Sequence, residues 1–501
     1  MMLSRRTILN WLAGLGMATG TKRLIPQASL SFLPERALAQ DPLRPQFHLL
    51  PTRNWMNDPN GPIYVNGKYH MFFQYNPESA VWGNMSWAHA VSTDMVHWKQ
   101  LRLAFTMSPG SADAAGCFSG SAIVQTEDGH NRVSMIYTGI VNDKEHETIR
   151  NEGRRESQCL AWSDDPMLLR WTKLDHPILP APPAGLKITG FRDPSVWKEG
   201  DYYLMTVGSG VEREGGCVLL YRSSDLQAWE YLHFLTSGKW NGIPTSNPCD
   251  DGEMWECPDF FALDGFHVLI YSTLGKVFWQ SGEFDKRSLK FHALKEGILD
   301  LDAFYAPKTQ LDADGNRILW GWIPERRSNE EMLKAEWSGL MSLPRRLQLD
   351  GSGELLLRFA TQTQSLRRKR LSAQKIPDGS LHVLPRATGE FLCSGFKGQS
   401  FEVVISAAAQ ELARVRYSPI QHSLHVGEQR IGLASTDVPE VHAFVDGSVL
   451  ELILSHRMGL TRRFYYAGTT APDILITVTG HAARSEAWSL RPISLDRLTT
   501  A

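Results

Sequence analysis

Cysteine is scarce in this chain, with six in 501 residues (Cys117, Cys159, Cys217, Cys249, Cys257 and Cys393) and no CxxC pair among them. That spacing argues against a disulfide framework and against a cysteine-ligated zinc site. Cys249 and Cys257 are the pair to check for a bridge. An excess of either charge is missing too: 52 Lys and Arg against 54 Asp and Glu leave a formal charge of -2. Scattered basic residues at that balance make no positive field for nucleic acid, and a neutral or polar small molecule is the expected partner. Long apolar runs are also absent. The nearest, Ile8 to Ala18, is broken by glycine and too brief to span a bilayer.

That short run has the look of an address. Arg5-Arg6 precedes it and Ile8-Leu9 follows the pair, which resembles a twin-arginine export signal, although Asn10 stands where that pattern often has Lys. Ala37-Leu38-Ala39 offers a small-x-small cleavage site before Gln40. The reading is a signal peptide over residues 1–39 and an exported protein, periplasmic or extracellular, with no membrane attachment after its removal.

What the chain has in quantity is a repeat. Five times a β-rich run meets a tight-turn dipeptide and is followed by a second β-rich run, the pattern of a hairpin. The turns fall at Asn66-Gly67, Asp128-Gly129, Glu199-Gly200, Asp264-Gly265 and Asp314-Gly315. Their spacing of roughly 50 to 70 residues is the size of a propeller blade. One hairpin per blade predicts a five-bladed β-propeller over 41–350. A second repeat, "STDMVHW", "SDDPMLLRW", "SSDLQAW" and the weaker "GEFDKRSLKF", places Trp98, Trp171, Trp229 and Phe291 on outer strands as packing residues.

Ahead of the hairpins stand "NDPNG", "CFSG", "FRDP", "WECPD" and "FYAPKT", in equivalent repeat positions. If the first strand of every hairpin lines the channel, these segments meet at one mouth of it. Three carry acids: Asp58, Asp193 and Glu256. Carboxylates gathered in a channel repel one another, so their clustering asks for a use. Asn57, Gln74 and Arg192 add hydrogen-bonding groups, and Trp55, Trp82 and Phe118 add apolar faces, a mixture suited to a polyol. Two carboxylates facing a glycosidic bond cleave it with retention or inversion according to their separation.

The ordered set "WMNDPNG", "FFQYNP", "WGNMSWAHAVSTDMVHW", "CFSGSA", "FRDP", "WECPD" and "WSGLMSLPRRL" resembles glycoside hydrolase family 32, the β-fructofuranosidases that include invertases, levanases and inulinases. The resemblance runs from about Gln46 to Arg346 and less clearly beyond. It implies a retaining, exo-acting enzyme that uses no metal or cofactor. Asp58 would be the nucleophile, Glu256 the acid and then the base, and Asp193 the stabiliser of the transition state, with Arg192 beside it. Asn57, Gln74, Trp82, Phe118 and Ser119 would complete the pocket. Trp55 resembles the hydrolase version of its motif, and Trp322 matches a Gly-Trp position. Alternatives are a fructosyltransferase of the same family, an inverting arabinan- or xylan-degrading propeller, and a non-catalytic fructan-binding propeller. The choice among sucrose, levan and inulin is assigned to acceptor-side loops such as Asn241 to Gly252. Oligomeric state is left open.

Other signals are given structural readings. "DADG" at 312–315 mimics a calcium loop, but Ile323 stands where a bidentate Glu is needed, so it reads as a hairpin turn. Asn84-Met85-Ser86 is a glycosylation sequon in form only. Asp259 reads as a supporting residue nearer the blade surface, and Ala303 leaves the roles of Asp300 and Asp302 open. Residues 351–375, with Gly351-Ser352-Gly353 and the basic run Arg367 to Arg370, read as a linker with a solvated face. Alternating strands over 376–501 predict a β-sandwich that stabilises the propeller, with Asp446 and Glu451 in familiar places.

Overall fold

The computed structural model describes residues 33–145 and 153–499. Arg5-Arg6 and the apolar stretch that follows lie outside these. The cleavage site expected near Ala39 falls in a short helix, Glu35–Gln40, whose Leu38 is buried against Leu50, Ile323, Trp337 and Leu498.

The chain is all-β, and its larger part is a β-propeller-like arrangement of antiparallel meanders. The first runs Asn54–Val65, Lys68–Asn76, Ser86–Ser92 and Trp98–Gln100. Three more follow, starting at Gly116–Glu127, Ile188–Glu199 and Glu256–Leu263. The last joins Tyr305–Leu311, Arg317–Ile323, Arg345–Leu349 and Leu355–Phe359. Each first strand lies beside the first strand of the next meander, and Tyr305–Leu311 lies beside Asn54–Val65, so the circuit closes. Trp337–Ser338 pairs in parallel with Asn54 and Trp55, tying the late chain to the early one through backbone hydrogen bonds.

Both repeats are explained by backbone geometry. Asn66-Gly67, Asp128-Gly129 and Asp264-Gly265 all have positive φ, the left-handed pair that matches the twist of a hairpin. The third hairpin differs by one residue, because its strands end at Glu199 and resume at Tyr202, so the loop is Gly200-Asp201. In the second repeat Met95, Leu168, Leu226 and Leu289 take positive φ. Trp98, Trp171 and Trp229 each donate an indole N–H to the carbonyl three residues back, which closes the turn. Trp98 and Phe291 are buried, whereas Trp171 and Trp229 are partly exposed and stand just before their strands.

The expected linker is corrected. Residues 351–353 are the turn of a hairpin whose second strand, Leu355–Phe359, pairs with Arg345–Leu349 at the edge of the last meander. Leu355, Leu357 and Phe359 alternate inward, so this segment belongs to the propeller core. The basic run is an edge strand, Arg367–Leu371, paired with Ala482–Leu490. Arg367 grips Glu390 through two nitrogens, both at 2.6 Å, and covers the ring of Trp488. Local charge mimicked a linker because an edge strand also exposes one face.

Two sheets form the C-terminal sandwich around an apolar core that includes Phe401, Val403, Ile405, Val441, Leu452 and Ile476. One sheet is continuous with the propeller, since Asp300 of Lys290–Asp300 pairs with Gly459. Buried charges lock this joint. His48 sits between Asp446 and Glu451, 2.9 Å from each, and Arg345 binds Asp300 at 2.8 Å and Glu451 at 2.5 Å. Asp300, left open by sequence, is therefore a joint residue that also accepts from the Thr461 hydroxyl at 2.7 Å. Asp302 pairs with Arg326 and Arg462. "DADG" is a turn in which Asp312 accepts from Asn316.

Candidate active site

Every first strand carries a bulge at one register. The pairing slips between Met56 and Pro59, between Cys117 and Gly120, between Glu256 and Asp259, and between Tyr305 and Lys308, and opposite Arg192 to Ser195 as well. A bulge inserts a residue and re-aims the side chains beside it. Asp193, Cys257 and Ala306, the first inserted residues of three strands, all have positive φ and all precede proline. Sequence therefore sets these mouths locally: the X-Pro pair stops the ladder and turns its neighbours toward the channel.

The three acids come together there, and each is buried. Cys257 joins two of them, its sulfur 3.2 Å from Asp193 Oδ2 and 3.6 Å from Asp58 Oδ2. Its backbone N–H also donates to Asp193 Oδ2 at 3.0 Å. Glu256 is the residue before it in the chain.

Asp58 is held by a polar chain. The Ser119 hydroxyl donates to Asp58 Oδ2 at 2.5 Å and accepts from Gln74 Nε2 at 2.7 Å. Asn57 Nδ2 donates to Gln74 Oε1 at 3.0 Å, and Trp55 Nε1 donates to Asn57 Oδ1 at 2.7 Å. Four side chains on three strands of the first two meanders thus fix one carboxylate. Such a chain orients Asp58 with little freedom left to lose on reaction.

Glu256 is held from the other side. Arg192 reaches its Oε1 through Nε at 3.0 Å and Nη2 at 2.9 Å, and the Tyr305 hydroxyl donates to Oε2 at 2.8 Å. Arg192 was expected to stand with Asp193; its guanidinium goes instead to Glu256 and to Glu156, 2.9 Å away. Burial works against that charge, but Glu156 and Glu256 outweigh it and hold the guanidinium well above its ordinary range. Glu156 is fixed in turn by the Phe191 N–H at 2.6 Å.

Four aromatic residues pack beside the acids. Trp55 and Trp322 meet at 5.8 Å, Trp82 and Phe118 meet edge to face at 5.8 Å, and all four pack in one cluster with Cys257 and Tyr305. Trp55 and Trp322 are buried, so they shape the wall, whereas Trp82 and Phe118 keep exposed surface. Arg154 lies over the Trp82 ring, 5.3 Å from its centre.

No disulfide joins Cys249 to Cys257, and the Cys249 sulfur lies 3.4 Å from Arg192 Nη2. Asp259 is not near the surface: it is buried inside the channel, accepting from Ser195 Oγ at 3.0 Å and from Thr309 N and Oγ1 at 2.7 Å. The bulge shifts the alternation by one residue, which turns Asp259 inward.

Three residues of this site were missed by sequence reasoning. Tyr305 stands in the repeat position of Arg192 and Glu256, a signal that was available in "FYAPKT". Cys257 was seen only as a possible bridge partner. Glu156 lies near the start of an ordinary strand, Arg154–Ser163, and nothing local marks it.

The chain resembles known proteins over most of its length. The Glycosyl hydrolases family 32 N-terminal domain matches residues 48–358. A raffinose invertase of Escherichia coli is 39% identical over 82% of this chain and 87% of its own length. A sucrose-6-phosphate hydrolase of Escherichia coli is 33% identical over the same shares. Among solved structures, a Bombyx mori β-fructofuranosidase in complex with sucrose superposes with a TM-score of 0.76 at 28% identity, covering 91% of this chain and 96% of that one. With a matched domain that spans the whole channel and every bulge described above, the chain belongs to glycosyl hydrolase family 32.

Proposed function

We propose that the protein hydrolyses terminal β-D-fructofuranosides of the sucrose type with retention of configuration, using Asp58, Asp193 and Glu256. The observation that carries this reading is the convergence of Asp58 and Asp193 on one sulfur, Cys257, with Glu256 adjacent in the chain.

Asp58 attacks the anomeric carbon of the fructosyl unit while the bond to the leaving oxygen breaks, and Glu256 gives that oxygen its proton. Asp193 accepts hydrogen bonds from fructosyl hydroxyls and steadies the positive charge of the transition state. In the second half, Glu256 takes a proton from water, water attacks the same carbon, and the bond to Asp58 breaks. A negative Asp58 beside Glu256 favours a proton on Glu256, whereas Arg192 and Tyr305 favour its charged form. One site thus contains both influences that an acid-then-base residue needs.

The names of the Escherichia coli relatives and the sucrose bound in the Bombyx mori structure support small fructosides as substrates. Five blades are part of this proposal, supported by the closed circuit of first strands. So is export through the twin-arginine-type segment, supported by Arg5-Arg6 alone.

The test is an assay of the purified protein on sucrose, inulin and levan beside Asp58→Ala and Glu256→Ala. Both variants are expected to lose about a thousandfold or more in kcat on sucrose. Glu256→Ala should keep the first step on a fructoside whose leaving group needs no proton; its loss there removes the acid assignment. First-formed fructose of inverted configuration would remove the mechanism. Transfer oligosaccharides as the main product at high sucrose would move the protein to fructosyl transfer.

A further inference from the structure

Past the bulges the first strands run on to the opposite mouth of the channel, where a separate cavity of about 480 Å³ opens. Asp259 lies three residues beyond Glu256, and Gln310 five beyond Tyr305, so at about 3.3 Å per residue the cavity is on the order of 10 Å deeper than the acids. Asp259, whose carboxylate is held by Ser195 and Thr309, is part of the lining.

Gln310 and Arg317 also line the cavity, and one buried atom of each has no hydrogen-bond partner among the described residues. One is Gln310 Oε1, an acceptor on a side chain only 3% exposed; the other is Arg317 Nε, a donor. The Arg317 guanidinium lies on the Phe261 face, 4.6 Å from the ring centre. Burial pulls its pKa below the ordinary value, and Asp259 only partly offsets this. Trp197 and Tyr64 supply further ring surface to the same cavity. The volume is that of a small-molecule site.

The lining selects the occupant. Glu199, Asp259 and Gln310 bring acceptors to it, and Ser121, Lys198 and Arg317 bring donors. An oxyanion only accepts and an ammonium only donates, whereas a hydroxyl does both. Ring faces beside such groups suit the C–H surface of a sugar. We propose that this reverse mouth binds a neutral polyol of monosaccharide size, at a site separate from the catalytic pocket. The inference does not depend on which fructoside the acids cleave. Lys308, which lines the cavity, donates to the Pro258 carbonyl at 2.7 Å, so an occupant would touch the strand that carries Glu256.

The test uses the full chain labelled with 5-fluorotryptophan, with the Trp197 fluorine resonance assigned from Trp197→Phe. Glucose is titrated to about 0.1 M, a range that covers millimolar affinity. The Trp197 signal is expected to shift and saturate. Gln310→Leu and Arg317→Met should each weaken that titration about tenfold while leaving sucrose turnover and the melting temperature unchanged. A Trp197 signal that stays fixed while site tryptophans respond overturns the proposal. So does an undiminished titration in both variants, or a Trp197 shift produced by inorganic phosphate and not by glucose.

Discussion

Arg192 and Glu256 meet through two guanidinium nitrogens on a single carboxylate oxygen, at 3.0 and 2.9 Å. The second oxygen of Glu256 belongs to Tyr305. A carboxylate that accepts three donors is biased toward its charged form, and a proton donor needs the opposite bias at the moment of bond cleavage. The balance is therefore adjustable by removing one donor.

Tyr305→Phe is the cleanest such change. It deletes one hydrogen bond to Glu256 and keeps the ring in its cluster. The loss favours the protonated form, so the basic limb of the kcat/KM profile should move to higher pH while the acidic limb stays. Initial rates on sucrose across the pH range check this; an unmoved basic limb counts against Glu256 as the group that titrates there.

Ser119→Ala tests the opposite side of the site. The hydroxyl donates to Asp58 and accepts from Gln74. Hydrogen bonds to charged groups are worth about 1.5–3 kcal/mol, so kcat/KM should fall by about 10- to 100-fold. Urea midpoints should change little. A variant with full activity would show that this hydroxyl does not orient the nucleophile.

His48 makes the joint between propeller and sandwich sensitive to alkali. Burial opposes its charge, but the hydrogen bonds to Asp446 and Glu451 prevail and raise its pKa to about 9. Arg345 and His48 hold the Glu451 carboxyl below its usual range against its own burial. A raised histidine stabilises fully below its unfolded value near 6.5, and that stabilisation is lost as pH climbs through about 9. The melting temperature should fall between pH 6.5 and 9, and His48→Asn should melt lower at pH 6 with a flatter slope. A wild type with constant melting temperature over that window would show His48 to be neutral in the fold.

Gly120 follows Ser119 at its bulge, and a Cβ there would stand 2.0 Å from the Ile136 carbonyl oxygen and 2.7 Å from Tyr137 Cα. Both are backbone, so neither side can yield cheaply. Gly120→Ala should cost about 2–4 kcal/mol, read from urea unfolding, and should lower activity through Ser119. Full stability would mean that the neighbouring strand moves freely.

The larger part of the site was legible because a repeat writes the same local event five times. Asn66-Gly67 or Asp264-Gly265 encodes a hairpin by backbone preference alone, and the proline after Asp58, Asp193 and Cys257 encodes the break in the ladder. Aligning the repeats then brings Asp58, Asp193 and Glu256 to one mouth without any knowledge of coordinates. Where the reading erred, local pattern was compatible with two environments. Asp259 alternates toward the surface until the bulge adds one residue, and Arg367 to Arg370 are as charged on a sheet edge as on a linker.

By itself the sequence determined most of the propeller hairpins and the equivalent repeat positions of the three acids, since each depends on the torsional limits of neighbouring residues and on the period of burial. Only the tertiary structure decided that Glu156 holds Arg192 and Tyr305 holds Glu256, that Cys257 spans two carboxylates, and that His48 is gripped by residues about four hundred positions away. Those contacts depend on closing a ring and docking a sandwich against it. Their energy lies in the distance and desolvation of groups remote in the chain, which no local pattern records.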